Sequence, residues 1–172
     1  MSTVRFIADL HFGHENMAKR RGFASAAEQD EYIVKCWNKT VHKRDITYIL
    51  GDITMEKAEY AILDRLNGRK YVVMGNHDKM GHTRKLLEHV DSVAGMLKYK
   101  GIFLTHCPIH PMEMDYRVHH NIHGHIHEKL VERDITLFGR VIFKRVDRRY
   151  HCVSCEHVDY TPKTLTELGI SR

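Results

Sequence analysis

Apolar and polar positions along the chain follow two periods. Short runs rich in β-branched and aromatic residues recur, each closed by a polar or glycine-containing turn: VRFIADLH from Val4, ITYILGD from Ile46, KYVVMGNHD from Lys70, GIFLTH from Gly101 and NIHGHIH from Asn121. These predict strands. Between the first three the period lengthens to that of a helix. Ser25-Ala-Ala-Glu28 has the form of a capping box, and Ile33, Cys36, Trp37 and Val41 fall on one apolar face behind it. A second helix is predicted from about Glu56 to Asn67, with Ile62, Leu63 and Leu66 inward and Gly68 as its stop, and a third from about Thr83 to His89. The alternation predicts an α/β protein on a mainly parallel, buried sheet. Val93 to Leu104 reads as two strands meeting near Lys100-Gly101, so the second half is expected to be richer in antiparallel pairing.

Beyond His127 the segment 128–149 carries strand-like alternation in ITLFGRVIFKRV with many arginines and lysines, and predicts a basic β-hairpin insertion turning near Gly139. No repeat, low-complexity run or Pro/Gly/Ser linker divides the chain, so residues 1–172 are expected to form one domain, and 42% hydrophobic residues suffice for its core. No apolar run approaches the ~20 residues of a spanning helix, and MSTVRFIADLHF lacks a signal-peptide pattern. A soluble, cytoplasmic protein without a membrane partner is expected. Cys152 and Cys155 in CVSC have no second close pair to complete a zinc site. A spacing of three puts them on opposite faces of a strand, as ordinary cysteines in a reducing compartment. The net charge of +5 suits an anionic substrate.

Histidine changes the picture. Fifteen histidines in 172 residues, several clustered with Asp and Asn, make a composition that metal chemistry explains and core packing does not. The polar residues best suited to hold metals stand where predicted strands end, which is where open α/β sheets place their sites. Asp9 and His11 are two apart, so on an extended chain they point to one side, and His125 and His127 repeat that spacing. Asp52 has two oxygens with which to bridge two cations. Asn76 offers a neutral carbonyl oxygen, and His106 a further imidazole. Gly51, Gly75 and Gly124 each precede one of these residues and would allow tight turns there.

D-L-H at 9–11, G-D at 51–52, G-N-H-D at 75–78, T-H at 105–106 and G-H-I-H at 124–127 resemble, in order, the five motifs of the calcineurin-like metallophosphoesterases. The C-terminal V-S-C-E-H-V-D-Y-T-P-K-T-L-T-E-L is similar to the closing strand of their small bacterial and phage members. The resemblance implies the metallo-dependent phosphatase fold, a four-layer α/β/β/α sandwich with two mixed β-sheets and a dinuclear site at its edge. It implies that Asp9, His11, Asp52 and His127 bind one metal, and Asp52, Asn76, His106 and His125 the other. By the same resemblance His77 contacts the phosphate and protonates the leaving group, while Asp78 holds the His77 imidazole in position. Manganese is the expected ion, and iron, zinc, nickel or magnesium also suit His, Asp and Asn donors. Two divalent ions lower the pKa of a bridging water toward neutrality, which would make hydroxide the nucleophile and leave His77 to protonate the departing oxygen. His14, His110 and Arg117 are expected to reach the substrate.

The expectation is therefore a metal-dependent phosphoric ester hydrolase, a phosphodiesterase or phosphatase acting on a small, nucleotide-like phosphate ester. A nuclease resembling the SbcD type is a second reading, for which the chain is short of DNA-capping regions. A non-catalytic scaffold or nucleic-acid-binding module is a third, and His77 with the full ligand set speaks against it.

Overall fold

Val4–Ile7 (β1), Ile46–Ile49 (β2), Arg69–Val73 (β3) and Ser92–Ala94 (β4) pair in that order, every pair parallel, in the computed structural model. The structure describes residues 2–55, 59–114 and 118–170. Phe6, Ile7, Ile49, Val72 and Val73 are fully enclosed, as a parallel sheet covered on both faces requires. A second four-stranded sheet runs in the order Tyr150–Cys152 (β10), His120–His123 (β7), Ile102–Leu104 (β6), Leu97–Tyr99 (β5). The second half is richer in antiparallel pairing, as expected: every pair of the first sheet is parallel, whereas Leu97–Tyr99 pairs antiparallel with Ile102–Leu104 and Glu132–Leu137 with Arg140–Val146. Only β5 and β6 are antiparallel in the second sheet, while β6–β7 and β7–β10 are parallel because long crossovers join them. The turn at Lys100 (φ +49°) and Gly101 (φ +77°) stands where the sequence puts it, but the strand before it is two strands, β4 and β5, one in each sheet.

The two sheets are joined beyond the end of β1, where Ala8 forms a parallel bridge with Ser154 and its amide donates to the Val153 carbonyl at 2.8 Å. One hydrophobic cluster fills the interior, with Phe6, Ile49 and Val72 from the first sheet, Leu104 and Ile122 from the second, and Ile33 and Trp37 from a helix. That helix, Ala26–Thr40, follows a short one at Glu15–Arg20 that the apolar pattern does not reveal; they are α1 (Glu15–Arg20) and α2 (Ala26–Thr40). Ser25 Oγ accepts the Glu28 amide at 3.1 Å, and Glu28 Oε2 accepts from the Ala24 amide, one residue before the expected box partner.

Of the second predicted helix, residues 56–58 lie outside the described residues, and the remainder is a 3-10 helix at Tyr60–Arg65. Gly68, at φ +83°, lies just beyond it, where an added Cβ would meet the Asp45 carbonyl at 2.8 Å. The third contracts to Thr83–Leu86 (α3), one turn continuing a 3-10 helix at Met80–His82. Glu132–Leu137 (β8) and Arg140–Val146 (β9) form the basic hairpin, turning at Phe138 (φ +48°) and Gly139 (φ +76°). It is a separate two-stranded sheet, exposed along almost its whole length. Among the described residues no helix is long and apolar enough to cross a membrane.

Replacing Ser25 by alanine leaves the α2 amide at Glu28 without its acceptor and should lower stability by about 1 kcal/mol, read as a lower urea midpoint at unchanged slope.

Candidate metal centre

The residues expected to hold metals all leave strand ends on the same rim. Asp9 and His11 follow β1, Asp52 follows β2, Asn76 and His77 follow β3, His106 follows β6, and His125 and His127 follow β7. Asp9, His11, Asp52, His125 and His127 all have left-handed backbones, with φ of +56°, +49°, +52°, +72° and +49°. The extended alternation expected for the two D-x-H and H-x-H pairs is therefore replaced by tight left-handed steps. Asp and His tolerate that region better than β-branched residues do, at a cost on the order of 1–3 kcal/mol each. Neighbouring strand ends hold the strain in place: the Asp9 amide donates to the Gly51 carbonyl and the His11 amide to the Asp52 carbonyl, both at 3.0 Å. Of the three glycines expected to permit turns, Gly51 does so at φ +85°. Gly75 and Gly124 serve close approach instead, since a Cβ would run into the Asp52 carboxylate at one and the Asp9 carboxylate at the other.

Asp52 stands at the centre. Its Oδ2 lies 3.4 Å from His106 Nε2, 3.8 Å from His11 Nε2 and 3.9 Å from His77 Nε2, while its Oδ1 accepts the His77 amide at 3.0 Å. On one side, ligand atoms of Asp9, His11 and His127 lie within 4.8 Å of one another, and those of Asp9, Asp52 and His106 do likewise. On the other, Asn76 Oδ1 is 2.8 Å from His106 Nε2 and 2.9 Å from His125 Nδ1, and those two nitrogens are 3.2 Å apart. His106 Nδ1 is committed to the Leu50 carbonyl at 2.8 Å, which turns Nε2 inward. All seven expected ligands thus converge on one place.

The donor set fits divalent cations. His11 is 2% exposed, yet neither of its ring nitrogens has a hydrogen-bond partner, a costly arrangement for a buried imidazole unless something else occupies the lone pair. Burial pushes its pKa down to about 3 against the opposing pull of Asp52, so it is neutral, as a ligand must be. Burial also opposes the charged form of His106, but the Asp52 carboxylate outweighs it and raises that pKa; positive charge is favoured at this spot. Burial alone would raise the Asp52 carboxyl, yet His106, the His77 amide and His11 together hold it below its usual range.

Comparison with known proteins decides the family. The family model described as calcineurin-like phosphoesterase matches residues 2–100, more than half of the chain. The chain belongs to the calcineurin-like phosphoesterases. An uncharacterized protein of Methanocaldococcus jannaschii is 30% identical over 174 residues, which cover 96% of this chain and 88% of that protein. The Gene 66 protein of Mycobacterium phage L5 is 28% identical over 202 residues, covering 91% and 97%. The crystal structure of a protein of unknown function, AQ665 from Aquifex aeolicus, superposes with a TM-score of 0.69 at 26% identity and covers 98% of both chains. The mixed α/β architecture with several sheets accords with the calcineurin-like fold.

Around the candidate ligands of this calcineurin-like chain lies a shell of supporting residues that motif reading missed. Glu156 Oε1 accepts from Arg21 Nε at 2.8 Å and lies 3.2 Å from His127 Nδ1, which leaves His127 Nε2 free to face inward. Burial would raise the Glu156 carboxyl, but His127 and Arg21 hold it down to about 2, so it stays charged. Arg21 also donates to the Asp9 and Leu10 carbonyls, and Ser154 Oγ donates to Asp9 Oδ2 at 2.6 Å. An S-C-E triplet, 145 residues along the chain from Asp9, carries no local signal that it would fold back there.

Asp78 departs from its expected part. Its carboxylate accepts the backbone amides of Asp52, Ile53 and Gly75, which use both oxygens, so it acts on His77 through the loops it braces rather than by gripping the ring. His77 is an exposed imidazole, as is His125; its side chain is 42% accessible and its ring lies 5.7 Å from that of His11. His14 stands with its ring 5.7 Å from His11, at the wall of a cavity of about 770 Å³ that also includes Asn16, Asp30 and Thr54. His110 lies on the exposed loop after Cys107, where its Nδ1 accepts the Met112 amide at 3.3 Å. Arg117 lies outside the described residues.

Glu156→Gln keeps the shape of that carboxylate and removes its charge. It should weaken metal affinity by about 10- to 100-fold, measured by titration calorimetry, with little change in fold by circular dichroism.

Proposed function

We propose that the chain is a dinuclear-metal phosphoester hydrolase that cleaves phosphodiester or phosphomonoester bonds of small, nucleotide-like substrates. One observation carries the reading: a single oxygen, Asp52 Oδ2, lies between two groups of inward-facing acceptors and within 3.9 Å of three imidazoles, one of them solvent-accessible. Asp9, His11, Asp52 and His127 would hold one divalent ion, and Asp52, Asn76, His106 and His125 the other. Such a pair neutralises phosphate oxygens and makes a water acidic enough to attack at neutral pH, and manganese is the favoured ion, with iron, zinc, nickel or magnesium as substitutes. His77, beside these residues but open to solvent, can touch a phosphate oxygen and give a proton to the departing alkoxide. Asp78 supports that step by fixing the loops that carry Asp52 and Gly75. The four free thiols suit a reducing, cytoplasmic setting.

The hairpin favours a second reading, a small nuclease. Arg133 pairs directly across from Arg145, and Ile135 across from Phe143. Like charges so placed destabilise a hairpin unless an anion lies between or over them. Exposed Phe138 and Phe143 add surfaces on which bases stack. The hairpin would then draw a polynucleotide toward the rim, where its first residue, Glu128, is tied to α1 by Arg20 at 2.8 Å.

Manganese-loaded protein should hydrolyse bis(p-nitrophenyl) phosphate faster than p-nitrophenyl phosphate, and the same screen on cyclic nucleotides and single-stranded DNA ranks the two readings. His77→Ala should retain its metal by elemental analysis while kcat falls by about 10²- to 10⁴-fold; full activity in that variant would remove His77 from proton donation. Arg133→Ala with Arg145→Ala should raise KM for an oligonucleotide and flatten its salt dependence without altering kcat on the chromogenic diester. Identical KM values would dismiss the hairpin from substrate capture.

A further inference from the structure

Asn76 Oδ1, His106 Nε2 and His125 Nδ1 stand 2.8 to 3.2 Å apart, and the proton on His106 Nδ1 is already given to the Leu50 carbonyl. Asn76 Oδ1 is an acceptor, and with the ring protons on the outer nitrogens His106 Nε2 and His125 Nδ1 are acceptors too, a grouping that suits a cation. A fourth donor is present. The Cys107 sulfur lies within 4.8 Å of a ring nitrogen of both His106 and His125, and the three form a group able to hold a metal ion. Cys107 is exposed at the mouth of the site, and its thiol makes no hydrogen bond among the described residues. The backbone beneath it is fixed, because Thr105 Oγ1 donates to the Cys107 carbonyl at 2.6 Å and Asn121 Nδ2 donates to Thr105 Oγ1 at 2.9 Å. The other cysteines are placed differently: Cys155 is fully enclosed, Cys152 sits 3.2 Å from Ser154 Oγ, and Cys36 lies on α2; none belongs to such a group among the described residues.

We propose that Cys107 is an additional ligand of the centre, a thiolate acting with Asn76, His106 and His125, and that it adds affinity at this position for soft or borderline cations such as zinc, cobalt or cadmium while leaving that for manganese nearly unchanged. The inference rests on the reading of the Asp52 cluster as a metal centre. Its chemistry is a ligand exchange: the divalent ion takes the sulfur lone pair, a bound water departs, and the thiol proton passes to solvent. Nitrogen and oxygen donors alone accept hard and borderline ions by supply, whereas one sulfur among them shifts the preference toward the softer ones.

Cobalt(II) titration of the whole protein tests both layers separately. Cobalt held by His, Asp and Asn gives visible ligand-field bands, and cobalt held by a thiolate adds a sulfur-to-metal charge-transfer band in the near ultraviolet. The wild type should show both, Cys107→Ser should lose the ultraviolet band and keep the visible ones, and Cys36→Ser should keep both. Visible bands without an ultraviolet band in the wild type would overturn the thiolate ligand and leave the metal centre standing. An ultraviolet band that survives Cys107→Ser would also overturn it, by assigning the sulfur elsewhere. Failure to bind cobalt at all would overturn the metal centre and this inference with it. In competition titrations Cys107→Ser should weaken cadmium by about tenfold or more and leave manganese within about twofold; equal weakening of both would mean that the cysteine shapes the site without selecting the ion.

Discussion

Asp52 turns one carboxylate oxygen toward three imidazoles while its other oxygen takes the His77 amide, and the rest of the rim is arranged around that placement. A charged carboxylate that is 2% exposed must be compensated. Here the compensation comes from inward-turned nitrogens that have too few protons to satisfy every acceptor among them. His11 has no partner on either ring nitrogen, and His106 has spent one on Leu50. Such an arrangement is poor as a hydrogen-bond network and good as a cage for positive charge.

The fold supplies what holds the acceptors together against their repulsion. Five left-handed non-glycine residues at the strand ends would be costly in isolation, and they persist because neighbouring elements over-determine them. Asp78 ties the β2 and β3 loops by three amides, the Asp9 carboxylate receives the His125 amide from the other sheet at 3.0 Å, and Arg21 reaches from the end of α1 to the Asp9 carbonyl. Gly75 and Gly124 let two backbones come against two carboxylates where any side chain would intrude. The hydrophobic core shared by both sheets packs beneath this rim, and that support is what sets the acceptors close together.

The candidate ligands were legible in the sequence because each follows an apolar run at a strand end, a local pattern repeated five times. The central helix was legible for the same reason, through Ser25, Glu28 and the spacing of Ile33 and Trp37. What stayed hidden was non-local. The extended geometry expected for Asp9 and His11 failed because residue spacing gives no φ, and the left-handed turn is imposed by contacts with the Gly51 and Asp52 carbonyls of another strand. Glu156 and Ser154 have no nearby signal, since their partners lie far away along the chain. Pairing direction in the second sheet depended on crossover lengths that the strand pattern does not encode. The segment from Tyr60 to Arg65 had the right apolar residues, with Tyr60 and Leu63 buried, but wound as a 3-10 helix, because apolar spacing does not distinguish the two windings over so short a run.

Burial also separates residues that the sequence presents as equals. His11, His106 and His77 all approach the same Asp52 oxygen, at 3.8, 3.4 and 3.9 Å. His11 is enclosed and driven neutral, which commits it to offering a lone pair. His106 has one nitrogen tied to a carbonyl and the other turned inward, where it offers either a lone pair to a cation or, without one, a proton to Asp52. Of these three, His77 alone has its side chain substantially open to solvent, while its backbone amide remains fixed to Asp52. In the reading proposed above, a donor at His77 would have to be reloaded from water after each event, and ligands at His11 and His106 would have to be unprotonated. One residue type could meet both demands because the rim gives each histidine a different degree of contact with water.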